Sequence, residues 1–235
     1  MRKNLGGGVR KAAVFWVVVM LVPRAIFPFP AQTPSRTQPA TEEWVAKFDG
    51  DSLDAAKWER FTFEGGSGGT FKVEKGELRM RGVSGARSGV RTKQKFGGDR
   101  FIVEASLAKV GPALPDVGQG GLALGTAVLT ILFDDSGRNR VEWILTSEGT
   151  FEAWAVVNGQ DERIDNRKLA TKTSNPTLGI VRRGDEFLFM LNGQMGLQKT
   201  VKNLPKDFWV MLYGYGSSEN NWSSVRVVTV KQNLP

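Results

Sequence analysis

Alternation of apolar and polar positions is clearest in FIVEASLAKV, residues 101–110. Phe101, Val103, Ala105 and Leu107 fall on one side of an extended chain, and Ile102, Glu104, Ser106 and Ala108 on the other. A period of two predicts a half-buried β-strand. The same period predicts strands over 70–74, 77–82, 128–134, 141–146, 150–158, 177–183, 186–191, 208–215 and 223–231, with Gly, Asn or Asp in nearly every gap. In 208–215 both faces are apolar, which predicts a central strand. The one departure is DSLDAAKW, residues 51–58, where a capping-type residue precedes a helix-permitting run and predicts a single helical turn. With no long amphipathic helix, strands of this kind bury themselves as an all-β, two-sheet antiparallel sandwich.

Turn chemistry sets the pairing. In VRRGDEFLFMLNGQ, residues 181–194, Gly184-Asp185 makes a two-residue loop in which Gly takes positive φ. Arg183 then faces Glu186, and Leu178, Ile180 and Arg182 align with Leu191, Phe189 and Phe187. Asn192-Gly193 turns the chain again. The tripeptide Arg183-Gly184-Asp185 is therefore a hairpin tip rather than an adhesion signal. In VEWILTSEGTFEAWAVV, residues 141–157, a loop at Ser147-Glu148-Gly149 pairs Thr146 with Thr150, Ile144 with Glu152 and Glu142 with Trp154. Only this register keeps Val141, Trp143, Leu145, Phe151, Ala153 and Ala155 on one core face. Glycine, at 28 of 235 residues, is well above the usual 7% or so and supplies the many turns.

The chain opens with a basic stretch and an apolar run, AAVFWVVVMLV, residues 12–22. Eleven apolar residues rise only about 16 Å as a helix, too short for a bilayer core. Residues 1–31 read as an export signal, with Ala25 or Ala31 before the cut, and place the protein in the periplasm or outside the cell. Residues 32–43, rich in Pro, Thr and Gln, read as a disordered tether, and 44–235 as the folded domain. Five bases and no acid lie in 1–31, so the remainder holds 27 basic and 24 acidic residues. The high pI belongs largely to the leader, and a nucleic-acid partner loses its motive. After signal removal no stable membrane span and a monomer are expected. The chain contains neither cysteine nor histidine. That excludes disulfides, Ser-His-Asp and Cys-His catalysis, and His- or Cys-ligated metals.

The phrases AKFDGDSLDAAKWERF, GTFKVEKGELRMRG, FGGDRFIVEASL, LGIVRRGDEFLFMLNG and SSVRVVTV together resemble the concanavalin A-like lectin/glucanase jelly roll. Laminin-G-like modules and bacterial 3-keto-disaccharide hydrolases are the nearest relatives by this resemblance, which covers residues 44–232. It implies two curved antiparallel sheets whose concave face holds saccharide. The Glu-x-Asp-x-x-Glu strand of the superfamily's glucanases is absent, because Glu142 is followed by Ile144 and Ser147 where the further acids would fall.

Candidate chemistry centres on the 141–157 hairpin. Glu142 and Glu152 are diagonal neighbours on the face opposite the core, about 7 to 8 Å apart at the backbone, with Trp154 beside both. Two carboxylates so spaced beside an aromatic platform suit the acid and base of an inverting glycosidase. Solvated glutamates on an exposed face are the plainer reading. Tyr213, Tyr215 and Trp222, beside the loop SSENNW, are candidate ligand-binding residues on a rim. Asp134-Asp135 and the pair Asp49 and Asp51 are candidate ligands for a structural calcium, though a turn uses the same letters. No other cofactor is expected. Asn221-Trp222-Ser223 fits a glycosylation sequon. The leading expectation is an exported domain that binds an oligo- or polysaccharide. A glycoside hydrolase using the paired carboxylates, or a structural or adhesion domain without small ligand, are the alternatives.

Overall fold

The computed structural model describes residues 40–65, 68–82, 85–113, 126–168, 174–214 and 218–230. The leader and residues 32–39 of the expected tether lie outside these residues. Two antiparallel sheets carry every strand, and no helix occurs among the described residues.

The first sheet takes its order from one long strand, β6 (Arg100–Ala113), and from β15 (Ser218–Val230) beside it. On the far side of β6 lie β11 (Thr177–Arg183), β12 (Glu186–Leu191) and β13 (Gln194–Thr200), the predicted meander. Next to β15 lie β4 (Glu77–Arg81) and then β3 (Thr70–Glu74), while β1 (Thr41–Lys47) pairs with the other half of β15. The second sheet runs β10 (Gln160–Lys168), β9 (Thr150–Val157), β8 (Arg140–Thr146), β7 (Thr126–Leu132), β14 (Trp209–Tyr213), β5 (Arg87–Thr92) and β2 (Trp58–Glu64).

Both hairpins form in the predicted register. Arg183 faces Glu186 and Arg182 faces Phe187, and across β8 and β9 Glu142 faces Trp154 and Ile144 faces Glu152. Gly184 has φ 67°, as its place in the loop requires. The hairpin tip is tied down: Gly184 N–H donates to the Asp99 carbonyl at 2.7 Å and Val201 N–H to the Asp185 carbonyl at 2.8 Å. Arg182, buried beneath it, donates from Nε to the Gly184 carbonyl and from its terminal nitrogens to the Pro205 and Leu204 carbonyls. Desolvation lowers the Arg182 pKa, opposed by Asp99 and Asp185.

Between the sheets Trp143 is fully buried against Phe151 and Phe189, with ring centroids 4.7 and 5.4 Å away. Its indole N–H crosses to the Met190 carbonyl of the facing sheet at 2.8 Å. Asn220 makes a second crossing, donating to the Thr126 carbonyl at 3.0 Å. Trp58 packs with Trp44 and Phe48, and Phe101 lies 4.1 Å from Phe208.

Several expectations are corrected. Thr41, Glu42 and Glu43, assigned to the tether, are the first residues of β1. The expected single turn does form within 51–58, with Asp54 as its cap: the Asp54 carboxylate accepts Ala56 N–H at 2.9 Å and its carbonyl accepts Trp58 N–H at 2.9 Å. β1, β2, β5 and β10 went unread. β10, QDERIDNRK, is a charged edge strand, a composition that discourages pairing with foreign chains and also hides the strand.

Gly89 in β5 has no space for a side chain. A Cβ there would sit 2.0 Å from the Leu212 carbonyl oxygen and 2.7 Å from Tyr213 Cβ. Gly89→Ala is expected to destabilise the fold by about 2 to 3 kcal/mol through overpacking, read as a lower urea midpoint at unchanged slope.

Candidate functional site

Strict alternation along β8 sends Val141, Trp143 and Leu145 into the core and Arg140, Glu142 and Ile144 to the outer face of the seven-stranded sheet. Cross-strand pairing extends that face. Thr130 on β7 and Trp154 on β9 flank Glu142, and Val128 and Glu152 flank Ile144. On β14, Met211 is level with Thr130 and Tyr213 with Val128. The two glutamates and Trp154 therefore share one face.

The centre of this face is sealed. Glu142 is 2% exposed, Tyr213 1%, and Thr130 and Met211 are fully covered. Phe63, on the opposite edge strand β2, sits edge-on to Tyr213 at 6.2 Å, and the Arg140 guanidinium lies 5.2 Å from the Phe63 ring. Gly137, φ 68°, presses its backbone onto Phe63, and a Cβ there would fall 2.3 Å from the ring. Under this cover Glu142 Oε1 accepts two hydrogen bonds, from the Tyr213 hydroxyl at 2.7 Å and from Arg140 Nε at 2.8 Å. Arg87 Nε is 3.9 Å from the same oxygen, and Arg87 also pairs with Glu64. Arg140 donates from Nη1 to the Gly137 carbonyl at 2.6 Å. Glu142 is thus the hub of a buried ionic cluster, neither the solvated surface glutamate nor an open acid. Thr130, beside it, has a buried hydroxyl without a hydrogen-bond partner among the described residues.

Glu152 and Trp154 lie outside the seal and are half-buried. The Trp154 indole N–H donates to Glu152 Oε2 at 3.2 Å, which fixes the ring on the sheet. Arg163 of β10, opposite Trp154, is exposed and adds a cation to the platform's edge. It went unread because β10 did. Where the β8–β9 hairpin turns, a depression of about 290 Å³ is lined by Leu145, Thr146, Ser147, Lys109 and Asn175.

The other candidate residues are placed elsewhere. Trp222, expected on a binding rim, is fully buried in the core and donates to Asn220 Oδ1 at 2.6 Å. Tyr213 has its hydroxyl committed to Glu142, and Tyr215 lies outside the described residues. Asn221 of the sequon is 5% exposed and donates to Glu77 at 2.7 Å, so the folded chain does not present it. Asp134 is a turn hub, accepting Ser136 Oγ at 2.7 Å, Asn139 Nδ2 at 2.8 Å and Arg138 N–H at 3.1 Å. Burial pushes its pKa up, but these hydrogen bonds outweigh it and hold the carboxyl below its ordinary value. Asp135 pairs with Arg91. Asp49 and Asp51 are exposed, and among the described residues no three acidic side chains gather where a metal ion could be held. A second aromatic patch, unread in the sequence, has Arg91 over Phe61 at 3.7 Å and over Trp209 at 4.8 Å.

No family model matches this sequence, and no curated protein matches it. Solved structures do match the fold. An endo-β-1,3-glucanase from Pyrococcus furiosus has a TM-score of 0.61 at 15% identity, over 81% of this chain and 94% of that one. The Bacillus licheniformis β-glucanase has a TM-score of 0.56 at 13% identity, over 81% of this chain and 98% of that one. A non-specific endo-β-1,3(4)-glucanase from family GH16 has a TM-score of 0.60 at 10% identity, over 83% and 95%. Identities this low concern architecture alone, and the architecture is the concanavalin A-like jelly roll.

Burial, and next the Glu142 charge, raise the Tyr213 pKa well above its ordinary 10.0. The unfolded phenol ionises first, so its contribution to stability is complete below pH about 10 and is lost as pH rises toward the folded value. Alkaline unfolding above pH 10 should be steeper in the native protein than in Tyr213→Phe. At pH 7 Tyr213→Phe should cost about 1 to 3 kcal/mol, because Glu142 loses a donor. Urea unfolding at a series of pH values checks both.

Proposed function

We propose that this chain is an exported saccharide-binding domain that does not cleave its ligand, and that the ligand lies along the outer face of β8, β9 and β10 on Trp154. The observation that carries this reading is the fixed indole. Trp154 is half-buried on an outward face and locked by its own N–H to Glu152, so a flat apolar surface stands ready beside a carboxylate oxygen and the exposed Arg163 guanidinium. Sugar rings stack on such surfaces through their C–H faces while neighbouring polar groups take the hydroxyls. Residues 1–31 support export. The glucanases that share the architecture act on β-glucans, which makes β-glucan the first polymer to test.

The same geometry argues against turnover. An inverting acid and base must both face the scissile bond from open space about 6.5 to 9.5 Å apart. Glu142 is sealed, with one oxygen held by Arg140 and Tyr213. Only Glu152 of the pair is open to solvent.

Affinity electrophoresis of the full chain in gels containing soluble β-1,3- and β-1,3-1,4-glucan should show retardation. Trp154→Ala should weaken binding about tenfold or more while leaving the melting temperature nearly unchanged. Glu142→Gln should lower the melting temperature yet retain the retardation, and no variant should release reducing ends. Reducing ends released by the native chain and lost in Glu142→Gln would replace this reading with a hydrolase. Retardation undiminished in Trp154→Ala would remove the platform.

A further inference from the structure

The eight-stranded sheet turns a different kind of face outward. Three large hydrophobic side chains are more than a third exposed among the described residues, namely Val45, Ile102 and Met195 at 43, 37 and 59%. All three project from the outer face of this one sheet, opposite the inward Ala46, Phe101 and Leu197. They are not scattered. Leu188, Val181, Ile102 and Val228 stand level across four adjacent strands, and Met190 and Met195 stand level in the next row. Single exposed apolar residues are ordinary, whereas a continuous band marks an interface.

Charge bounds the band unevenly. On one flank Arg183 and Arg100 face each other across β11 and β6, both exposed, and Glu186 stands level with Arg183 on β12, which leaves this row one positive charge in excess. Like charges directly opposite repel. On the other flank Arg226 is held by Glu43 at 2.6 Å and by Glu104 at 2.9 Å, a triad with one negative charge in excess. A two-fold axis lying in the interface, along the row of Val181 and Ile102, would lay band on band and set the Arg100–Arg183 pair of one copy over the Glu43–Arg226–Glu104 triad of the other. Only a second copy of this chain brings that matched pattern, since an isologous contact presents each flank to its opposite.

We infer that the outer face of the eight-stranded sheet is the interface of a two-fold homodimer. Five strands at about 4.8 Å and seven residues at about 3.3 Å give a flat footprint of roughly 500 Å² per copy. That is below the ~800 Å² per partner of a standard stable interface. The dimer is therefore dissociable, unlike the monomer that composition alone suggests, and it leaves the Trp154 face free.

Sedimentation velocity of the full chain should show a monomer–dimer equilibrium between about 1 and 100 µM, weakened by salt. Ile102→Glu should raise the dissociation constant at least tenfold without changing the melting temperature, and Arg100→Glu severalfold. The chain has no cysteine, so Ile102→Cys gives one thiol for a photoreactive maleimide. Cross-links should map to the same sheet face of a second copy. A native chain monomeric at every concentration, or a dimer indifferent to Ile102→Glu, would overturn the inference. Cross-links that map to residues 1–39 instead would assign the face to the chain's own N-terminal segment, with the same effect.

Discussion

A carboxylate taken out of water has to be answered by donors in place, and Glu142 imposes that demand on the middle of the seven-stranded sheet. Its neighbour Trp143 points the other way and ties the two sheets together through the Met190 carbonyl. Two consecutive residues thus fix both sides of the sheet, one with an apolar anchor and one with a buried charge. The anchor requires only space and one acceptor. The charge requires Arg140 from its own strand, Tyr213 from two strands away and a cover from Phe63 at the far edge. Removing one partner of such a cluster leaves an uncompensated charge, which costs more than the cluster's own net contribution. That coupling makes the centre of the face structural and pushes any recognition outward, to Trp154 on one side and the Phe61–Arg91–Trp209 stack on the other.

The sequence was most legible where alternation and turn chemistry agree. The Gly184 and Asn192-Gly193 turns and the apolar period of two forced single registers in both hairpins, because a one-residue slip would turn Phe187, Phe189 or Trp143 to solvent. The share of Glu142, Glu152 and Trp154 in one face followed from the same parity. Whether that face is wet did not. Its cover comes from Phe63 and Arg87, some 55 to 80 residues earlier in the chain, and no local pattern announces a contact at that range. Arg140 and Glu142 are two apart on one strand, which places them on the same face, but only the fold shows that they meet out of water.

Trp222 illustrates a different limit. Val225 and Val227 face inward, so unbroken alternation would turn residue 222 outward. The ladder between β15 and β6 shifts register on both sides of Trp222, and an extra residue in a strand reverses the parity of everything beyond it. The indole goes inward and Asn220 follows it to the core, where it bonds both Trp222 and the Thr126 carbonyl. Charged edge strands were hidden for a related reason: among the described side chains of β10 only Ile164 packs toward the core, so its sequence records the need to avoid foreign strands more than the need to pair with β9.

The absence of histidine and cysteine shapes how this molecule handles charge. Among the described residues every buried cation is an arginine, and a guanidinium does not release its proton under any condition the fold survives. The shifts of the carboxylates and the phenol move those groups away from neutrality. Hydrogen bonds to Ser136 and Asn139 draw Asp134 down against its burial, Lys72 draws Glu74 down, and burial carries Tyr213 up. Asp134 and Glu74 lend stability above their unfolded pKa values that is lost as pH falls, and Tyr213 lends stability below its own that is lost as pH rises. None of these three groups changes charge in the middle of the scale. Arginines beside Glu142 and beneath the 183–186 hairpin keep their charge throughout. The apolar band and the Trp154 platform then sit on the outer faces of two sheets whose buried cations among the described residues are arginines.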